Sequence, residues 1–343
     1  MGKYIGGWVL CLFGLIAACH AFAMENWDGP IDGPSGQKNK KIIFISQDFR
    51  NGGITATYRG FFTASKELAW SVHLVDGRGT DQAIRSAFEE AVRSHPDAII
   101  AGGFDTSGFS DVVATAQRAG IVLAGWHAAA EPGRTKELFV NISTLPADVA
   151  NIAANYMVAT SKGPIGVVIF NDSRFAVANA KTNRMKEIVE QCQRCKILAI
   201  ENIPISAANI DIPAAVIRLD KLFGKSWTHS LAINDVYFDS MNVPLAQINR
   251  ADIRNISAGD GSNIAIGRIK SGLSQQLATV AEPSDLQGWQ LADELNRAFA
   301  GARPSGYVAA PILITTQFFK QAESKDGEAQ RPYQRAYKGI WGK

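Results

Sequence analysis

KIIFISQDFRNGGITATYRGFFTASKELAWSVHLVD, residues 41–76, decides the fold. KIIFIS (41–46) and SVHLVD (71–76) are short runs rich in β-branched and aliphatic side chains, the composition of strands. Between them Tyr58, Phe61, Phe62, Ser65 and Leu68 fall roughly on one face of a helix over 54–69. A strand, a polar loop, an amphipathic helix and a second strand make the unit from which parallel sheets are built.

The same rhythm runs outward from this stretch. A helix over 81–94, the strand DAIIAG (97–102), a helix over 107–119, and the strands IVLAGW (121–126) and LFVNIS (138–143) complete a βαβαβαβ half. DAIIAG is almost continuously apolar, as a strand covered on both faces must be. The second half repeats the pattern: a helix over 146–161, PIGVVIF (164–170), a helix over 176–192, KILAIENI (196–203), a helix over 211–223 and HSLAIND (229–235). A helix over 236–248, DIRNISAG (252–259), a short helix near 261–271, QLATVA (276–281), a helix over 284–300 and PILITT (311–316) follow. No period of 20–50 residues recurs, which excludes a solenoid. The expected fold is α/β: two doubly wound, Rossmann-like parallel-sheet domains with a ligand cleft between them.

The chain has 343 residues, 46% hydrophobic and 20% charged, enough for about two cored domains. Lys and Arg total 35 against 32 Asp and Glu, a balance that excludes a nucleic-acid binder with its basic stripe. Lys3, the apolar run 5–18 and Ala21-Phe22-Ala23 read as a signal peptide over 1–23, cleaved after Ala23. The run is shorter than the roughly 20 residues of a membrane span. Ile16-Ala17-Ala18-Cys19 resembles a bacterial lipobox and leaves a lipid anchor at Cys19 open. Either reading exports the folded part to the periplasm. Residues 24–40 read as a linker or loosely packed arm. In the tail, 321–343, Tyr333, Tyr337 and Trp341 recur every four residues and align on one helix face, which is expected to pack on a domain surface.

In open parallel sheets ligands bind at the carboxyl ends of strands, so the loops there hold the candidate site. The first is Gln47-Asp48-Phe49-Arg50-Asn51-Gly52-Gly53, which matches neither GxGxxG nor a P-loop. Gly103 would let a ligand approach the backbone, while Asp105, Thr106 or Ser107 cap the helix that follows. Trp126 offers a flat apolar face and one N–H donor, which suits a sugar ring, and His127 follows it. Asn234, Asp235, Asp260 and Glu282 each follow a strand and suit polyol hydroxyls. They equally suit helix capping, Asp235 and Asp260 above all. The five histidines show no HxxxH or HExxH spacing and no GxSxG elbow is present, so neither a metal site nor a catalytic triad is expected. Cys192-Gln193-Arg194-Cys195 is a CxxC lying after a helix and before a strand, the reverse of a thioredoxin-like placement. In an exported protein its default is a disulfide.

HPDAIIAGG (95–103), AQRAGIVLAG (116–125), LAIND (231–235), ISAGDG (256–261) and QLATVAEPSDLQGWQLADEL (276–295), after the opening KIIFIS, carry a resemblance over about 41–316. The chain resembles periplasmic sugar-binding proteins of the ribose/galactose type, the type I solute-binding fold shared with LacI-like repressors. The resemblance implies two discontinuous lobes, 41–142 plus 283–310 and 143–282 plus 311–320, joined by crossovers near 142, 282 and 311. It implies a non-enzymatic monomer without a cofactor. Such a protein captures a carbohydrate by hinged closure and delivers it to the membrane permease of an ABC importer, or presents it to a membrane sensor. It assigns ligand contacts to Asn234, Asp260 and Glu282, where ribose-type proteins usually carry Gln at the last position. It points also to Phe49, Asn51 and Thr55 of the first loop, to Trp126-His127 where the family often has Asp-Arg, and to Asn179. A repressor would begin with a DNA-binding helix-turn-helix, where this chain carries its signal sequence.

Overall fold

The computed structural model describes residues 27–322 and 332–343. The signal peptide, Cys19 and residues 323–331 of the tail lie outside the described residues. Among the described residues no helix is long and apolar enough to cross a membrane.

Two sheets form two lobes. The first contains β1 (Lys41–Ser46), β2 (Ser71–Asp76), β3 (Ala98–Gly102), β4 (Val122–Trp126) and β5 (Val140–Ile142) in the order β2-β1-β3-β4-β5, all parallel. The second contains β6 (Ile165–Asn171), β7 (Cys195–Asn202), β8 (His229–Ala232), β9 (Arg254–Ser257), β10 (Gln276–Ala281) and β11 (Ile312–Thr315) in the order β7-β6-β8-β9-β10-β11. The expectation of wholly parallel sheets is corrected at β11, which runs antiparallel to β10 because the chain reaches it on its way back from the other lobe.

The helices are α1 (Gly52–Glu67), α2 (Asp81–Arg93), α3 (Ser110–Arg118), α4 (Pro146–Thr160), α5 (Ala176–Gln191), α6 (Ala208–Phe223), α7 (Val236–Asp239), α8 (Asn242–Gln247), α9 (Asn263–Ser271), α10 (Ser284–Phe299), α11 (Thr316–Ala322) and α12 (Pro332–Trp341). The single helix expected over 236–248 is two, α7 and α8. Pro244 sits in the first turn of α8, where its missing N–H costs nothing. Asn51 caps α1, its Oδ1 accepting from the Gly53 and Ile54 amides, and Ser262 caps α9 through Ala265.

Alternate strand residues face opposite layers. Ile42, Phe44 and Ile100 pack under α1 and α10, whereas Ile45 and Ile99 pack under α2 and α3. In the second lobe all seven residues of β6 are buried, so helices cover both faces.

The chain exchanges helices between the lobes. After β5 it enters the second lobe, where α4 packs on α5. After β10 it returns to the first, where α10 packs on α1. A Cβ on Gly60 would lie 2.2 Å from the Asp285 carbonyl oxygen, and one on Gly288 only 2.3 Å from that of Thr57. Glycine at both positions lets the backbones of α1 and α10 touch.

The segment before β1 is not loose over its described part. The Gln37 amide donates to Asn296 Oδ1 (2.7 Å), and Trp70 Nε1 donates to the Gln37 carbonyl (2.6 Å). Trp27 lies edge-on to Tyr337. The aromatic stripe of the tail packs on the first lobe: Tyr337 and Trp341 are buried, Trp341 stacks parallel on Trp289 at 5.7 Å, and its Nε1 donates to Asp293 Oδ1 (2.8 Å). Both arms thereby cover the exchanged helix α10.

Candidate functional site

The carboxyl ends of both sheets face a cavity between the lobes of about 50 Å3. The first lobe contributes Gln47, Asn51 and Ile54 after β1, Gly103 after β3, and Trp126 and His127 at the end of β4. The second contributes Phe175, Val177, Ala178 and Lys181 after β6, Ile205 after β7, Ile233 and Asn234 after β8, and Asp260 after β9.

Glu282, in the crossover after β10, is the electrostatic centre. Its side chain is fully buried. Oε1 accepts from Lys181 Nζ at 2.6 Å, and Oε2 accepts from Thr144 Oγ1 at 2.6 Å and from His127 Nε2 at 2.8 Å. Burial raises the pKa of such a carboxyl, but the charges and hydrogen bonds of His127 and Lys181 outweigh it and hold Glu282 well below the usual range. An ionised carboxylate only accepts, so His127 carries its proton on Nε2 and leaves Nδ1 for another partner. Thr144 belongs to the crossover after β5, so this bond ties two of the interlobe connections together.

Asp260 is buried and bonded by Asn234 Nδ2. Burial pushes its carboxyl up, Lys181 pulls it back, and Glu282 adds to the rise. A Cβ on Gly53 would lie 2.7 Å from Asp260 Oδ2, so glycine there allows this carboxylate to approach the start of α1 across the cleft. His127, Asp260 and Glu282 offer ligand atoms within 4.8 Å of one another. The Lys181 ammonium supplies the positive charge on Glu282 that a cation would otherwise bring.

Trp126 is 2% exposed. Its ring stacks on His127 at 4.0 Å, and its Nε1 donates to Gln287 Oε1 at 2.7 Å. His127 adopts φ +50°, which turns its imidazole back over the indole toward Glu282.

Six of the residues singled out in the sequence meet at this cavity: Asn51, Gly103, Trp126, His127, Asn234 and Asp260. Four do not line it. Phe49 packs edge-on against Tyr58. Thr55 donates to the Asn51 carbonyl and lines a neighbouring crevice between the lobes that shares Asn234 and Asp260 with the cavity. Asn179 is tied to Asn171 and to the Ser173 carbonyl. Glu282 is sealed behind Lys181 and His127. Lys181 and His127 hold its carboxylate, since a buried charge must be paired. Of the anticipated cappers, Asp105 holds the Ser107 amide. Asp235 accepts from the Gly261 and Ser262 amides, Gln276 Nε2 and Thr279 Oγ1 and so anchors the loop carrying Asp260. Burial and the neighbouring Asp260 push Asp235 up to about 6. The Sγ atoms of Cys192 and Cys195 are bonded across the turn between α5 and β7.

Eight cavity residues escaped the sequence reading, six apolar ones and the two with polar side chains, Gln47 and Lys181. Lys181 had a legible signal. It lies on the buried face of α5 with Ala178, Thr182 and Met185, at helical spacing, and a lysine on an apolar stripe needs a buried partner. Gln47 had none beyond its place after a strand.

The model of the periplasmic binding protein domain matches residues 42–303. The chain belongs to the periplasmic binding protein family. Among solved structures, it is similar to a 5-methylthioribose transporter solute-binding protein of Thermotoga lettingae in complex with 5-methylthioribose. That match has 15% identity, covers 89% of this chain and 98% of that chain, and has a TM-score of 0.76. An allitol-bound ABC transporter solute-binding protein of Agrobacterium vitis matches with 16% identity over 84% of this chain and 99% of that one, TM-score 0.73. A sugar ABC transporter protein of Yersinia enterocolitica matches with 16% identity over 89% and 96%, TM-score 0.74. No curated protein matches. The periplasmic binding protein family and these neighbours consist of solute-binding proteins, not enzymes, and the two α/β lobes described above are the family's architecture.

Proposed function

We propose that the chain is an exported solute-binding protein that captures a sugar or small polyol between its lobes and delivers it to the membrane permease of an ABC importer. Gln47 carries this reading. The residue is 3% exposed, and its side chain lines the cavity with no hydrogen-bond partner among the described residues. Its amide faces the cavity with neither donor nor acceptor used by a neighbouring side chain, and a ligand rich in hydroxyls would satisfy both. Lys181 Nζ, His127 Nδ1 and Asp260 Oδ1 add donor and acceptor capacity around the same space. Because these groups come from both lobes, only the closed form presents them together, and a ligand bridging them stabilises closure. Family membership and the fold likeness to sugar ABC proteins support the transport role, and the signal sequence at 1–23 supports export.

The test is a thermal-shift screen of the mature protein, unfolded and refolded to strip carried-over solute, against pentoses, hexoses, polyols, nucleosides and amino acids. A ligand at 100 times its dissociation constant contributes about 2.7 kcal/mol and raises Tm by a few degrees. The hits are expected among sugars and polyols, and Gln47→Ala is expected to abolish them while leaving the unliganded Tm near its starting value. Hits confined to amino acids or nucleosides would overturn the carbohydrate reading.

A further inference from the structure

We infer that the solute carries a second sugar ring: it is a disaccharide, with one ring at the cavity and the other in a crevice that continues it between the lobes. This rests on the function proposed above and narrows it. Gln47 of the first lobe and Phe175 of the second line the cavity and the crevice alike, so the two spaces adjoin. The Gln47 main chain is pinned. Its amide donates to the Gly102 carbonyl at 2.8 Å, and its carbonyl accepts from the Gly79 amide at 2.7 Å. Its side chain stays unpartnered at the junction, where it offers donors and an acceptor to hydroxyls on either side.

Each lobe gives the crevice the same platform, an arginine laid over a phenylalanine. In the first lobe Arg85 lies 5.5 Å from the centre of the Phe109 ring, and in the second Arg174 lies 5.4 Å from that of Phe175. An aspartate of its own lobe holds each guanidinium, Asp111 at 2.8 Å and Asp172 at 2.7 Å. Arg85 Nε and Arg174 Nη1 have no partner among the described residues. A sugar ring has an apolar C–H face and a polar edge, and a phenylalanine bordered by free N–H donors suits both. Asp81 and Gln82, in the first turn of α2, line the same crevice with side chains unpartnered among the described residues, and their oxygens can accept from ring hydroxyls. The neighbouring crevice that Thr55 lines has no aromatic side chain in its wall, so it offers a second ring no such platform.

Calorimetry on the stripped protein tests this with D-glucose against maltose, cellobiose and gentiobiose, D-galactose against melibiose, and D-xylose against xylobiose. In at least one series a disaccharide is expected to bind about ten-fold more tightly than its monosaccharide, the gain from one or two added hydrogen bonds. Monosaccharides that bind as tightly as every disaccharide, or more tightly, would overturn the inference while leaving the sugar-binding function standing. Binding by no sugar of either size would overturn both. Asp81→Ala combined with Gln82→Ala is expected to shrink the ratio of the monosaccharide and disaccharide dissociation constants about five-fold. Both side chains are exposed. A ratio reads specificity independently of stability, so an unchanged ratio would overturn the placing of a second ring in this crevice.

Discussion

The two lobes repeat one strand order, and at the first loop of each they repeat one device. Asp48-Phe49-Arg50 and Asp172-Ser173-Arg174 both fold an arginine back on the aspartate two residues earlier, with Nε to Oδ1 at 2.9 Å in each. The aspartates are buried and the arginines partly exposed. Beyond these loops the lobes diverge. The first presents an amide and an aromatic pair to the cavity, Gln47 and Trp126-His127, while the second presents the charges, Lys181 and Asp260. The helix pairs diverge too. The α1–α10 pair in the first lobe meets through Gly60 and Gly288, whereas α4 presents alanines toward the second-lobe core. The backbone is duplicated, and chemistry is written on it separately at the strand ends, where changing a side chain leaves the sheet unaltered.

The largest effect is expected in the second lobe. Lys181→Met leaves Glu282 buried with one cation fewer and should destabilise the protein by about 3–5 kcal/mol in urea unfolding, besides abolishing ligand binding. Adding Glu282→Gln should recover much of that stability and none of the binding. If the double variant is less stable than Lys181→Met alone, Glu282 is not the group that Lys181 neutralises.

The exchanged helix gives the first lobe its own pH dependence. Glu294 on α10 accepts from the Ser305 amide and hydroxyl, and burial pushes its carboxyl up to about 7. A folded-state value above the unfolded one means stability that is full below about 4.5 and is lost as pH rises through 7. The loss reaches about 3 kcal/mol at alkaline pH. Glu294→Gln should flatten that fall, leaving the smaller decline near pH 6 that Asp235 causes in the second lobe. Identical profiles for variant and parent would take Glu294 out of the account.

Helix contact separates the lobes more gently. Gly288→Ala forces α10 away from α1 and should cost about 1–3 kcal/mol. Ala154→Gly in α4 should cost only about 1 kcal/mol, the ordinary penalty of glycine in a helix. Equal losses at the two positions, measured by chemical denaturation, would mean that the close approach in the first lobe is not special.

Much of this molecule was legible beforehand because strand and helix signals are local. QLATVA matches β10 residue for residue and SVHLVD matches β2, since alternation and β-branching act over a few neighbouring residues. Strand ends located six cavity residues for the same reason. Phe49 and Asn179 stand at loop positions as suitable as Asn51, and their local partners turn them from the cavity, while Thr55 lines the adjoining crevice.

Sequence by itself determined the α/β class, the succession of strands and helices, the two-lobed organisation and the loops that line the cavity, because each follows from periodicity and chain order. Tertiary structure alone decided that the Glu282 carboxylate is bonded by Thr144, Lys181 and His127. Its partners Thr144, Lys181 and His127 are 138, 101 and 155 residues away. It decided also that Gln47 is left unpaired and that both arms cover α10. Which charges neutralise one another depends on distance in space and on the exclusion of water, and neither is encoded in the spacing of residues along the chain.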